Sequence, residues 1–81
     1  MNNGWKETGG ALSRAFTFPT YLAGLEFASA VGREAERQNH HPDILIGYKK
    51  VTVTTTTHDA GNTVTERDRK LAAAIDALAR P

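Results

Sequence analysis

The apolar residues of this chain change period at Pro42, and that change divides the sequence into elements. Before it, Leu22, Leu25, Ala28, Val31 and Ala35 recur with helical spacing. A proline disfavours helical geometry in the residue ahead of it, so this helix must stop short of position 42. The helix opens at Pro19 or Thr20, with Thr20 as N-cap, and Asn39 suits a left-handed C-cap. Beyond Pro42 the pattern alternates. Asp43 to Tyr48 and Val51 to His58 read as two strands joined around Lys49-Lys50, and the run Thr54 to Thr57 extends the alternation of Val51 and Val53.

Two more strands precede the helix. Trp5 to Thr8 and Leu12 to Phe18 flank the turn signal Gly9-Gly10, with Leu12, Phe16 and Phe18 on one face and Ser13, Ala15 and Thr17 on the other. The final element opens with Thr65-Glu66-Arg67-Asp68, a capping-box pattern, and carries Leu71, Ala74, Ile75 and Leu78 as one stripe. The order β-β-α-β-β-α predicts an α+β fold in two layers: a four-stranded antiparallel sheet with both helices on one face. Residues 1–81 make a single domain whose thin core favours self-association as a dimer or tetramer.

Several function classes fall away. The formal net charge is +1 and the basic residues are scattered, so nothing argues for nucleic acid or an anionic membrane. There are no cysteines, which removes disulfides, thiolate metal sites and cysteine nucleophiles. Apolar stretches are too short to span a bilayer and no signal-peptide pattern opens the chain, so a cytoplasmic protein is expected.

His40, His41 and His58 are the only side chains that titrate near neutrality when unperturbed. A hairpin folded about Lys49-Lys50 sets Ile46 opposite Val53, Ile44 opposite Thr55, Tyr48 opposite Val51 and His41 opposite His58. The histidines then share a face with Thr52, Thr54 and Thr56, and Leu45 is the misfit. Since a tight Lys-Lys turn is unfavourable, a longer loop is expected. Imidazoles so placed suit a reaction in which one proton is given and another taken. Neighbouring histidines also oppose each other's protonation, which helps hold one neutral as a base. Glu36, four residues before His40, can orient a histidine or bind a polar ligand edge.

Plainer roles exist for each residue. Helix ends collect histidine through the dipole, His58 can be a solvated strand end, and Glu36 an ordinary exposed charge. Asp68 is explained as the capping-box acid, and Trp5 and Tyr48 as core or sheet-face aromatics.

Together these residues resemble the pterin-4a-carbinolamine dehydratase family. The pattern is Glu36, His40-His41-Pro42, Tyr48 six positions after the proline, His58 and finally Asp68, with Thr57-His58-Asp59 similar to the family's Thr-His segment. Gly4-Trp5, the strand Arg14 to Phe18, Phe27, Ala35-Glu36 and Leu71 to Asp76 also look like family features, so the likeness spans nearly the whole chain. The resemblance implies dehydration of 4a-hydroxytetrahydropterin, the product of aromatic amino acid hydroxylases, to quinonoid dihydropterin. It places catalysis on His40 and His58, and substrate binding on His41, Glu36, Thr56 and Thr57. It calls for no metal and no redox cofactor. Family members usually carry a further helix before the Gly-Trp strand, where this sequence has only Met1 to Asn3.

Two alternatives belong to other classes. Animal members of that family also act as dimerising coactivators of a homeodomain transcription factor, a role the intact histidine set disfavours here. A metal site built on the three imidazoles lacks a clear fourth ligand.

Overall fold

The computed structural model describes residues 4–79. The elements are β1 (Lys6–Thr8), β2 (Ala11–Thr17), α1 (Tyr21–Gln38), β3 (Asp43–Gly47), β4 (Lys50–Thr55), a 3₁₀ turn (His58–Ala60) and α2 (Glu66–Ala79). The strands form one sheet in the order β1-β2-β4-β3, every neighbouring pair antiparallel. This is the α+β arrangement that the change of period predicts.

Alternation along β4 sets the two sides of the sheet. Val51 and Val53 are fully buried, opposite Phe16 and Arg14 on β2 and Ile46 and Ile44 on β3. The helices lie over this face, α1 bringing Phe27, Ala28 and Val31 and α2 bringing Leu71, Ala72 and Ile75. Phe27 stacks at 4.9 Å from Phe16 and 5.0 Å from Phe18, between ring centroids. Truncating Leu71 or Ile75, both without exposed surface, costs about 2–5 kcal/mol in such a core. Across the layers, Trp5 Nε1–H and the Arg14 guanidinium both donate to Asp76 Oδ1 at 2.9 Å, pinning β2 and the residue just before β1 to α2. The opposite face carries Ser13, Ala15, Thr17, Thr52 and Thr54, with the exposed Leu45.

Helix ends follow their capping residues. Thr20 Oγ1 accepts the Ala23 N–H at 3.0 Å. At the other end Asn39 takes φ 53, so that its N–H reaches Glu36 O and the His40 N–H reaches Ala35 O. This Schellman closure ends α1 and sends His40 back toward the layer between helix and sheet.

The second hairpin departs from the register expected for it. Its loop is Tyr48-Lys49 rather than a longer one around Lys49-Lys50, so Ile46 faces Val51 and Ile44 faces Val53. The offset is even, and with a side-chain period of two every residue keeps its side of the sheet. Lys49 at φ 62 makes the short loop possible. The pairing of His41 with His58 is not formed. β3 begins at Asp43 opposite Thr54, and β4 stops at Thr55, leaving His58 in the 3₁₀ turn. Tyr48 is neither core nor sheet-face but an exposed turn residue, its ring 6.3 Å from Tyr21. Leu22 and Leu78 lie outside the buried stripes of their helices, and Gly24 and Phe27 complete that of α1.

Candidate active site

At the end of the sheet where α1 finishes and α2 begins, one carboxylate collects hydrogen bonds from three directions. Asp68 has no exposed surface. Its Oδ1 accepts from His40 Nε2 at 2.6 Å and Thr55 Oγ1 at 2.7 Å, and its Oδ2 from Thr57 Oγ1 at 2.7 Å and the Thr65 backbone N–H at 2.9 Å. Burial alone would raise this carboxyl. The hydrogen bonds from His40, Thr57, Thr65 and Thr55 outweigh it and hold the group at about 2, ionised throughout the neutral range. The capping box is formed as its sequence predicts, since Asp68 reaches back to Thr65 while Thr65 Oγ1 accepts the Arg67 N–H at 3.3 Å. Capping is only one of its four contacts.

An ionised carboxylate only accepts, so the His40 ring carries its proton on Nε2, and Nδ1 is left to exchange protons. His40 is itself buried. His41, next in sequence, is exposed, and its Nε2 lies 2.5 Å from Glu36 Oε2 on the last turn of α1. Glu36 therefore orients a histidine, but His41 rather than His40. His58 is exposed, and its Nδ1 lies 2.8 Å from Asn62 Oδ1, an oxygen that can only accept.

The two threonines at the end of β4 turn inward to other partners. Thr56 Oγ1–H donates to Gly10 O at 2.6 Å, and Thr57 Oγ1 is divided between Asp68 and the Thr65 hydroxyl. Asp68 thus ties His40 to Thr57, the residue just before His58. The carboxylate joins His40 to the segment carrying His58. Among the described residues, no three His, Asp or Glu side chains gather in a metal-holding arrangement, and no helix is long and apolar enough to cross a membrane.

Two residues with evident work at this site were not predicted to belong to it. Asp68 was legible as a cap and as the last acid of the family pattern. Its burial beneath Thr55 and Thr57 follows from long-range packing. Asn62 carried one signal, a turn-forming residue four positions after a histidine.

A two-layer α+β domain in which a buried carboxylate holds one imidazole and bonds the residue before another is a candidate acid–base site. Comparison with known proteins gives the class a family. The family model described as Pterin 4 alpha carbinolamine dehydratase matches residues 1–78, and the chain belongs to that family. A Mycobacterium tuberculosis protein (strain H37Rv) bearing this enzyme's name provisionally is 45% identical over 76 residues, covering 94% of this chain and 80% of its own. One from Natronomonas pharaonis, also provisionally named, is 47% identical over 75 residues, covering 93% and 80%. Among solved structures, a transcriptional coactivator/pterin dehydratase from Brucella melitensis superposes with TM-score 0.89 at 34% identity, over 96% of this chain and 84% of that one. A pterin dehydratase-like protein, described as a RuBisCO assembly factor in the alpha-carboxysome, gives 0.79 at 31% identity over 95% and 90%.

Proposed function

We propose that this protein removes water from 4a-hydroxytetrahydropterin by histidine acid–base catalysis, yielding quinonoid dihydropterin. The observation that carries the reading is the buried His40–Asp68 pair, which fixes one imidazole beside the segment that bears another. In the reaction the C4a–O bond breaks and the hydroxyl leaves as water with a proton from an acid. A base takes the N5 proton, and the N–H electron pair becomes the C4a=N5 double bond. His58, exposed and held through Nδ1 by Asn62, is suited to receive the N5 proton on Nε2. His40, when protonated, is suited to deliver the other from Nδ1. The step is redox-neutral, so it calls for no redox cofactor.

His41 and Glu36 supply an exposed polar edge for the pterin's own hydrogen-bonding edge, and the half-buried Thr56 forms the neighbouring wall just past β4, with the buried Thr57 backing it. In the cell this activity would return oxidised tetrahydrobiopterin to its recycling route, in the cytoplasm, with the enzyme as a dimer or tetramer. The test is stopped-flow dehydration of enzymatically generated 4a-hydroxytetrahydropterin, with and without the protein. Acceleration abolished in a His40/His58 double variant is the expected result.

Two similar solved structures, one described as a transcriptional coactivator/pterin dehydratase and the other as a RuBisCO assembly factor, support a second reading as a non-catalytic interaction module. A wild-type protein that self-associates but leaves the dehydration rate at its uncatalysed value would favour it.

A further inference from the structure

We infer that Asn62 is a positioning residue that fixes His58 in the Nδ1–H tautomer, so that Nε2 faces the substrate without a proton. The inference rests on the reading of His58 as the base. A neutral histidine ring in water prefers to carry its hydrogen on Nε2, which would leave the wrong nitrogen bare. Which nitrogen is protonated is decided by the hydrogen bond the other makes. Here the Asn62 side-chain carbonyl lies 2.8 Å from Nδ1, and a carbonyl can only accept.

Both side chains are exposed, so water competes for this bond, and its value depends on how firmly the two backbones are held. They are held closely. Asn62 sits at φ 57, a left-handed geometry that asparagine tolerates better than most residues. Its N–H donates to Thr57 O at 3.1 Å, and Thr57 N–H donates to Thr63 O at 3.0 Å. The Asn62 carbonyl presses so closely on Gly10 that a Cβ there would stand 2.0 Å from it. Gly10 O in turn receives Thr56 Oγ1–H at 2.6 Å. The β1–β2 turn and the end of β4 therefore grip Asn62 from two sides, while the Gly61 N–H bonds His58 O at 3.1 Å and closes the 3₁₀ turn. This frame aims the amide at one ring nitrogen.

Asn62→Gly removes the amide and keeps the left-handed backbone accessible, whereas Asn62→Asp keeps an acceptor at the same place. In the full-length protein, ¹⁵N chemical shifts of His58 should report Nδ1–H in wild type and in Asn62→Asp, and a shift toward Nε2–H in Asn62→Gly. The kcat of Asn62→Gly should fall about three- to tenfold with KM little changed, part of the ~10²–10⁴-fold that a positioned acid–base group supplies. Asn62→Asp should restore most of the loss. A His58 tautomer unaltered in folded Asn62→Gly overturns the inference, as does unaltered kcat beside an impaired His58→Ala. If His58→Ala itself turns over normally, the catalytic reading of His58 has failed, and the tautomer measurement alone then decides the positioning role.

Discussion

His40 Nε2 lies 2.6 Å from Asp68 Oδ1, across 28 residues of sequence, with both side chains inside the protein. The contact joins the end of α1 to the start of α2. Two local devices meet in it: the Schellman closure that turns His40 inward and the capping box that turns Asp68 back. Each is legible alone. Their meeting makes a helix cap into the buried partner of an imidazole.

Loss of that carboxylate should therefore cost more than a cap. Capping contributes about 0.5–2 kcal/mol, whereas Asp68→Ala leaves two hydroxyls and an imidazole N–H without their buried acceptor. We expect about 3–5 kcal/mol for Asp68→Ala and about 2–3 kcal/mol for the isosteric Asp68→Asn, measured by urea denaturation. A loss confined to the capping range would reduce Asp68 to a helix-start residue.

Acid should expose the same carboxylate. Its folded value of about 2 lies below the ordinary 3.8, so between those values the unfolded chain binds a proton that the folded chain refuses. Falling pH then favours unfolding. The contribution is complete above about pH 4 and lost as pH falls through about 2, and amounts to roughly 2 kcal/mol. Denaturation midpoints of wild type should drop across this window, and Asp68→Asn should drop by clearly less. Parallel curves would contradict the assignment.

What the sequence made legible was local or periodic. Thr20 and Asn39 cap α1 as read, and the alternation of Val51 and Val53 places both in the core. Alternation reports the face of a residue but not its partner, so the register of β3 on β4 was open to even offsets. The actual offset is set by Lys49 adopting a left-handed conformation, which nothing in a lysine announces. His58 was read as strand because Thr54 to Thr57 continue the pattern. The strand ends instead at Thr55, and Thr57 is occupied by Asp68 and by Thr63. Such competition between a ladder and a distant side chain has no local signature. The sequence singles out a group of polar side chains, while their pairing, Glu36 with His41 and Asp68 with His40, required the fold.

Gly10 offers a test of the frame that needs no polar substitution. Alanine there must adopt φ 82 and meets the Asn62 carbonyl at 2.0 Å. Backbone against backbone has little room to yield, so Gly10→Ala should lose at least about 1–3 kcal/mol. Thermal unfolding would show this as a Tm lower by roughly 4–8 °C per kcal/mol in a domain of this size. Gly9→Ala is the control, since a Cβ there meets nothing within 4 Å and only the positive φ is strained. Equal losses at the two positions would mean that contact with Asn62 is unimportant.

The histidines should separate by the parameter each one changes. His40→Ala and His58→Ala should each slow dehydration, and together remove nearly all enzymatic rate. The range for positioned acid–base groups is about 10²–10⁴-fold. The loss here should fall near its low end, because the carbinolamine also dehydrates unaided in water. Each single loss is smaller still where one imidazole partly substitutes for the other. His41→Ala should raise KM with kcat nearly unchanged, since its ring is exposed and paired with Glu36 rather than with the buried carboxylate. Glu36→Gln should produce the same signature more weakly, because it keeps an oxygen able to accept from His41. Steady-state and single-turnover rates on the folded variants separate the two classes. A folded His40/His58 double variant with wild-type turnover would sink the mechanism, and an effect of His41→Ala on kcat alone would move it from substrate binding into the proton transfer.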